Sequence, residues 1–169
     1  MAQILVAVVL CMVIGIPLGI LAAVNNTFEA IIRPILDAMQ TLPAFCYLIP
    51  VLMFFGGNVV SAVIAIMIYA LPPVIRLTNL GIREVSTEAI EAATSFGSTF
   101  SQTLLKVKIP LALPSIMMGV NQSMMMALAM LVITPLIGGG GIGREVFVGL
   151  SQANTGQSLQ AGLAIVFFA

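Results

Sequence analysis

Long apolar runs alternate with short polar stretches along this chain, and the spacing of the two predicts helices that cross a membrane. Ile4–Val24 is an unbroken apolar run without a charge. A helix needs about 20 apolar residues to cross the hydrocarbon core of a bilayer, and this run supplies them. The polar stretch that follows, Asn25–Thr41, carries Glu29, Arg33 and Asp37 and reads as an interfacial or short helical connector. From Ala38 to Ile75 there is again no charge. That run is too long for one helix, and "FFGGN" at Phe54–Asn58 breaks it into two expected spans, Leu42–Phe55 and Val59–Ile75. The second is expected to stop at Pro72-Pro73, because proline removes a helical donor and restricts the residue before it.

Arg76–Lys108 is polar, and Leu111–Ile137 forms a fourth expected span. Gly138–Ser158 reads as a loop carrying one short helix, and Leu159–Ala169 begins a fifth span that stops early, which suggests a truncated C-terminus. The expected fold class is therefore an all-α polytopic membrane bundle of about five spans. It forms a single domain over residues 1–169 with a cytoplasmic loop at 76–108.

Composition narrows the class further. The chain is 60% hydrophobic and only 7% charged, whereas soluble domains carry roughly 25% charged residues. Formal net charge is zero, so no nucleic-acid partner is indicated. Histidine is absent, which removes the commonest metal ligand and the commonest general base together. No catalytic residue, metal or cofactor is indicated. Cys11 and Cys46 both sit in apolar runs and read as small hydrophobes. The N-terminal run lacks a basic flank and is too long for the core of a signal peptide.

Lysine and arginine collect on the cytoplasmic side of membrane proteins. Arg76, Arg83, Lys106 and Lys108 all fall between the third and fourth expected spans, so that loop is assigned to the cytoplasm, and the Arg33 connector with it. Arg144 is the one basic residue left outside, beside Glu145.

Within the loop, "STEAIEAATSFG" has helical character. Ser86 or Thr87 can cap its start, with Glu88 and Glu91 in the early turns. Ala89, Ala92 and Ala93 favour helix, and Gly97 suits its end. Thr99-Phe100-Ser101-Gln102 then fits a capping box and opens a second helix, expected to run to Lys108 before Pro110 disturbs it. The alanine and glycine positions leave one face with little bulk, beside Glu91. Two readings stand: a surface that fits into another protein's groove, and a solvated loop covering the ends of two spans.

Four features inside or beside the spans carry further readings. Gly15 and Gly19 form a G-x-x-x-G that permits close helix approach, and Pro17 between them suggests a kink. Asn121, Gln122 and Ser123 lie within the fourth span. Unpartnered amides are costly in lipid, so all three are expected to face the bundle interior, as interhelical hydrogen bonds or as the polar lining of a pathway. Met124, Met125 and Met126 point in three directions and read mainly as packing. "GGGGIG" at Gly138–Gly143 formally fits a dinucleotide fingerprint. The strand before it and the acid after it are both missing, so it reads as a loop. No P-loop motif is present.

Glu91, Ala92 and Ala93, then three residues, Gly97, nine residues, Val107, one residue, Ile109 and Pro110 resemble the cytoplasmic motif of permease subunits of binding-protein-dependent ABC importers. Val107 and Ile109 stand conservatively where that family has isoleucine and leucine. The stretches "LDAMQTLPAFCYLIPVLMFFG", "ALPPVIRLTNLGIREV" and "KIPLALPSIMMGVNQSMMMALAMLVI" are similar to permeases of the glycine betaine/proline betaine/choline (ProW) type, from about Val6 to Phe168. "GGNVVSAVIA" departs from that type's Gly-Asn-Val-Pro-Gly pattern, and its closing apolar segment and Leu-Asp-Arg tail are missing.

The resemblance implies a type-1, MetI-like ABC transmembrane domain acting as the membrane permease of an ATP-driven importer, with no ATPase site of its own. The implied partners are an ABC ATPase docked on Glu91, Ala92, Ala93, Gly97 and Pro110, an external substrate-binding protein, a second permease copy and the lipid bilayer. The implied cargo is glycine betaine or a related quaternary ammonium solute. Such cations are usually held in aromatic cages. A chain with no tryptophan and two tyrosines fits a low-affinity conduit better than a cage. Two rivals are a permease for another small solute, such as an amino acid, metal or sulfonate, and a passive channel or assembly subunit.

Overall fold

The computed structural model of the protein describes residues 2–168, all in helices and their connections. The helices are α1 (Ala2–Val24), α2 (Asn26–Thr41), α3 (Phe45–Phe55), α4 (Val59–Arg83), α5 (Thr87–Ser95), α6 (Phe100–Thr103), α7 (Ile109–Leu131), α8 (Ile142–Ser151) and α9 (Thr155–Phe168). A π-helical turn, Leu104–Lys108, joins α6 to α7, and a 3₁₀ turn, Thr134–Ile137, follows α7.

α4 is the centre of the bundle. It packs parallel to α1 on one side and antiparallel to α7 on the other, so α1 and α7 run antiparallel. The register against α1 is read from Cys11 Sγ, which donates to the Met67 carbonyl at 3.4 Å, and from Gly15 and Gly19, which lie on Val74 and on Ile75–Thr78. The register against α7 is read from Gly119 on Pro73–Leu77 and Gly81 on Ser115. The G-x-x-x-G of α1 is thus a packing seam, as its sequence indicates. The main core joins Ile4, Cys11, Leu48, Ile66, Met130 and Leu131 among its buried side chains. A satellite cluster of Ile82, Ala112 and Ile116 sits at the end where α4 finishes and α7 begins.

Several expected boundaries move. α4 passes straight through Pro72 and Pro73, both buried, and ends only at Arg83. Residues Arg76–Arg83, expected in the loop, are therefore helical. Dense packing from α1 and α7 holds the helix where local propensity would stop it. Pro110 likewise does not end its helix. Residues 100–131 form one helical run, and the widened turn at Leu104–Lys108, closed by Ile109 N–H to the Leu104 carbonyl, takes up the disturbance.

Among the described residues three helical runs are long and apolar enough to cross a membrane: Ala2–Val24, Val59–Arg83 and Phe100–Leu131. The expected second span is shorter than predicted. α3 has 11 residues and reaches a spanning length only together with α2, from which it is bent by 103°. Leu42-Pro43-Ala44 makes that bend. α9 is helical as expected, with 14 residues; Ala169 lies outside the described residues. α8 and α9 form a hairpin, pinned by Gln157 Nε2 donating to Glu145 Oε2 at 2.8 Å.

Candidate functional site

The polar insert leaves the bundle at its arginine-rich end. Its two roots are fixed there: Val85 on one side, and Leu104 and Ile109 on the other, pack on the satellite cluster. Between the roots, α5 buries none of its residues. Glu91, Ala92 and Gly97 are exposed and Ala93 is half-buried, while Pro110 is exposed on the first turn of α7.

Local chemistry shapes this projection. α5 ends in a Schellman closure, with Ser98 N–H bonded to the Ala93 carbonyl at 3.2 Å and Gly97 N–H to the Thr94 carbonyl at 2.9 Å. That closure puts Gly97 at φ 78°, the left-handed region, with open space where a Cβ would stand. Thr99 and Gln102 then form the predicted capping box: Thr99 N–H donates to Gln102 Oε1 at 2.9 Å, and Gln102 N–H to Thr99 Oγ1 at 3.4 Å. Ser98 and Thr103 hydroxyls meet at 2.7 Å across the corner. Ser86 occupies the N-cap of α5 without a side-chain cap bond. The expected pair of helices divided at Gly97 is therefore what forms.

The Glu91 side chain has no hydrogen-bond or ion-pair partner among the described residues, although its carbonyl accepts from Thr94 and Ser95 hydroxyls at 2.9 and 2.8 Å. A carboxylate held on a rigid, uncovered helix is suited to docking. Acid–base work would need a second titratable group within reach, and none of the ion pairs found involves it. At the C-terminal end of the same helix stands a residue that sequence reasoning passed over. Phe96 is 93% exposed, an aromatic ring in open space next to Gly97. The one available signal was a phenylalanine inside an otherwise polar stretch.

The three polar residues of α7 do not act together. Ser123 is fully buried and its hydroxyl donates to the Ala70 carbonyl of α4. Asn121 and Gln122 lie on the outer surface of the chain, not toward its interior as expected. Their 100° steps around the helix separate them from Ser123. The exposed face they share carries Met117, Met118 and Met125. Met124 and Met126 pack against the main core. The Ser123 bond is a modest helix-to-helix tie, so Ser123→Ala should lower stability by only about 0.5–1.5 kcal/mol. A thermal melt in detergent checks this.

The second polar concentration was not foreseen. At the C-terminal end of α4, Arg83 Nη2 lies 2.9 Å from Glu29 Oε2 of α2. It also donates to the Ala22 carbonyl at 2.9 Å and to Asn26 Oδ1 at 2.8 Å. Its Nε donates to Asn79 Oδ1 at 2.9 Å, and Asn79 Nδ2 donates to Glu29 Oε1 at 3.2 Å. About two turns before Arg83 on α4, Arg76 pairs with Asp37 and donates to Gln40. No group of three or more potential metal ligands occurs among the described residues.

Residues 15–169 match the family described as binding-protein-dependent transport system inner membrane component. The chain is 47% identical over 169 residues to the glycine betaine transport system permease protein OpuAB of Bacillus subtilis (strain 168), covering 100% of this chain and 60% of that one. It is 50% identical over 166 residues to the glycine betaine/carnitine transport permease protein GbuB of Listeria monocytogenes serotype 1/2a (strain 10403S), covering 98% and 59%. It is 49% identical over 169 residues to the glycine betaine/proline betaine transport system permease protein ProW of Escherichia coli (strain K12), covering 100% and 48%. The chain therefore spans about half to three fifths of the length of these relatives. In fold it matches a chain of the MetNI methionine ABC transporter in inward-facing conformations. The TM-score is 0.87 at 21% identity, covering 99% of this chain and 84% of the other.

Proposed function

The chain belongs to the family of binding-protein-dependent transport system inner membrane components, and from that premise we propose that it is the permease subunit of an ATP-driven ABC importer for glycine betaine or a related quaternary ammonium solute. The observation that carries this reading is the uncovered α5–Gly97–α6 projection, standing on a bundle whose other polar groups are mostly tied to their neighbours. A surface of this kind, a capped helix with little bulk on one face, is suited to a partner's groove. An ATPase subunit seated on Glu91, Ala92, Ala93 and Gly97, with Phe96 inserted as an aromatic anchor, supplies that groove. Pro110 contributes through the root of α7. ATP hydrolysis belongs to that partner. The arginine-rich end of the bundle faces the cytoplasm, by the charge rule.

Outward-facing Asn121 and Gln122 support the rest of the assembly. Two amides on the lipid side of a spanning helix would each forfeit hydrogen bonds. A second copy of the chain, or a water-lined path closed between two copies, satisfies them. The path itself binds cargo weakly, and an external binding protein supplies selectivity. The identity to glycine betaine permeases favours that cargo over amino acids, metals or sulfonates.

The test is uptake by the complete transporter reconstituted in vesicles with its ATPase and binding protein. Labelled glycine betaine should accumulate with ATP and stop without it, and unlabelled glycine betaine should compete while a neutral amino acid does not. Uptake that survives ATP depletion would instead identify a passive channel.

A further inference from the structure

We infer that Arg83 and Glu29 form a mechanical joint that makes α2 move with the docking loop. The inference rests on the permease reading and extends it to residues outside the family motif. Arg83 is the last residue of α4, and α5 begins at Thr87. Any displacement of α5 by a docked partner therefore reaches Arg83 within one turn of chain. There a single guanidinium holds three helices: the last turn of α1 through the Ala22 carbonyl, α2 through Asn26 and Glu29, and its own helix through Asn79.

Apolar packing does not replace this joint. α2 buries only Leu36 among its residues, and Ile31 and Ile35 face outward at 60% and 53% exposure. Its inner face instead borders a cavity of about 190 Å³ lined by Ile32, Leu36, Ile75 and Leu80 together with the arginines. Polar contacts hold α2 on: those of its first turns converge on Arg83 and Asn79, while Asp37 and Gln40 further along meet Arg76. Both oxygens of Glu29 are engaged, one by Arg83 and one by Asn79. The Glu29 side chain is 23% exposed and that of Arg83 32%, whereas Asp37 and Arg76 are 47% and 44% exposed. Shielded charges lose more when a partner is removed than half-exposed ones do. α2 in turn leads through the 103° bend into α3. Two residues past the end of α3, Gly57 lies against the Ile137 carbonyl at the opposite end of the bundle. Motion of the loop is thus carried by α2 and α3 as well as by α4, and Arg83 and Glu29 are positioning residues for the transport step.

The test compares Glu29→Gln with Asp37→Asn in the complete transporter, measuring ATPase retention, ATP hydrolysis and solute moved per ATP. Glu29→Gln should retain the ATPase and keep hydrolysis, while solute moved per ATP falls by about tenfold, within the usual range for coupling between sites. Asp37→Asn should leave the ratio unchanged. An unchanged ratio in Glu29→Gln, or an equal fall in Asp37→Asn, overturns the joint while leaving the permease reading intact. If the unaltered chain retains no ATPase, the permease reading falls and the joint with it. Should Glu29→Gln fail to assemble, Asn26→Ala decides, since it removes one acceptor and spares the ion pair. A smaller but clear fall in the ratio supports the joint, and no fall refutes it.

Discussion

Gly97→Ala should sharply reduce the proposed ATP-linked uptake while the protein still inserts and folds. The space around Gly97 is empty, so an added methyl group meets nothing. The penalty comes from the backbone: φ 78° lies in the left-handed region, where an L side chain costs roughly 1–2 kcal/mol. The cheapest escape is to open the Schellman closure and let α6 swing relative to α5. α5 buries none of its residues, so the bundle loses little by this, and the melting temperature should move only slightly. The docking surface, by contrast, loses its shape. We expect ATPase co-purification and uptake to fall by about tenfold or more, since that fall needs only about 1.4 kcal/mol of interface energy. Gly97→Asn should recover much of the loss, because asparagine tolerates the left-handed region. Glu91→Ala should lose co-purification without any change in helix content. Normal ATP-linked uptake by Gly97→Ala and Glu91→Ala would show that the partner docks elsewhere.

Gly19→Leu should fail at the opposite level, in the bundle itself. A Cβ at Gly19 would stand 2.5 Å from Thr78 Cβ and 2.8 Å from the Ile75 carbonyl oxygen. The oxygen belongs to the α4 backbone and cannot rotate away, so α1 and α4 must separate along their seam. Overpacking of this kind costs about 1–3 kcal/mol, and lost contacts along the seam add to it. Yield of folded protein in detergent should drop sharply and its melting temperature with it. Gly162→Ala is the control, because nothing lies within 4 Å of its added carbon. Equal stability of Gly19→Leu and the unaltered chain would mean that α1 does not pack on α4 through this glycine.

Different residues made these features legible to different degrees. The capping box at Thr99–Gln102 and the closure at Gly97 were readable because each is settled by atoms a few residues apart. The G-x-x-x-G was readable as a seam, though its partner, Val74–Thr78, was not. Pro72-Pro73 escape the local rule about missing donors because two neighbouring helices hold the backbone in place. Pro110 escapes it for a related reason, since a π-helical turn absorbs it. Asn121, Gln122 and Ser123 are adjacent in the chain, but a helix turns adjacent residues to different neighbours. Arg83 and Glu29 stand far apart in the chain, and no spacing rule joins them.

The sequence by itself determined that the chain lives in a membrane, where along the chain most of its helices lie, and that two short helices divided at Gly97 make up the polar insert with Glu91. Those properties depend on apolar content and on contacts within one or two turns, and both are local. Tertiary structure alone decided that α4 runs unbroken through its prolines, that α2 and α3 form a bent pair, and that Arg83 ties three helix ends together. Those outcomes depend on which helices touch. In a chain this uniformly apolar, hydrophobicity does not choose among neighbours. The choice falls to small residues that admit close approach and to the few polar groups that must find one another.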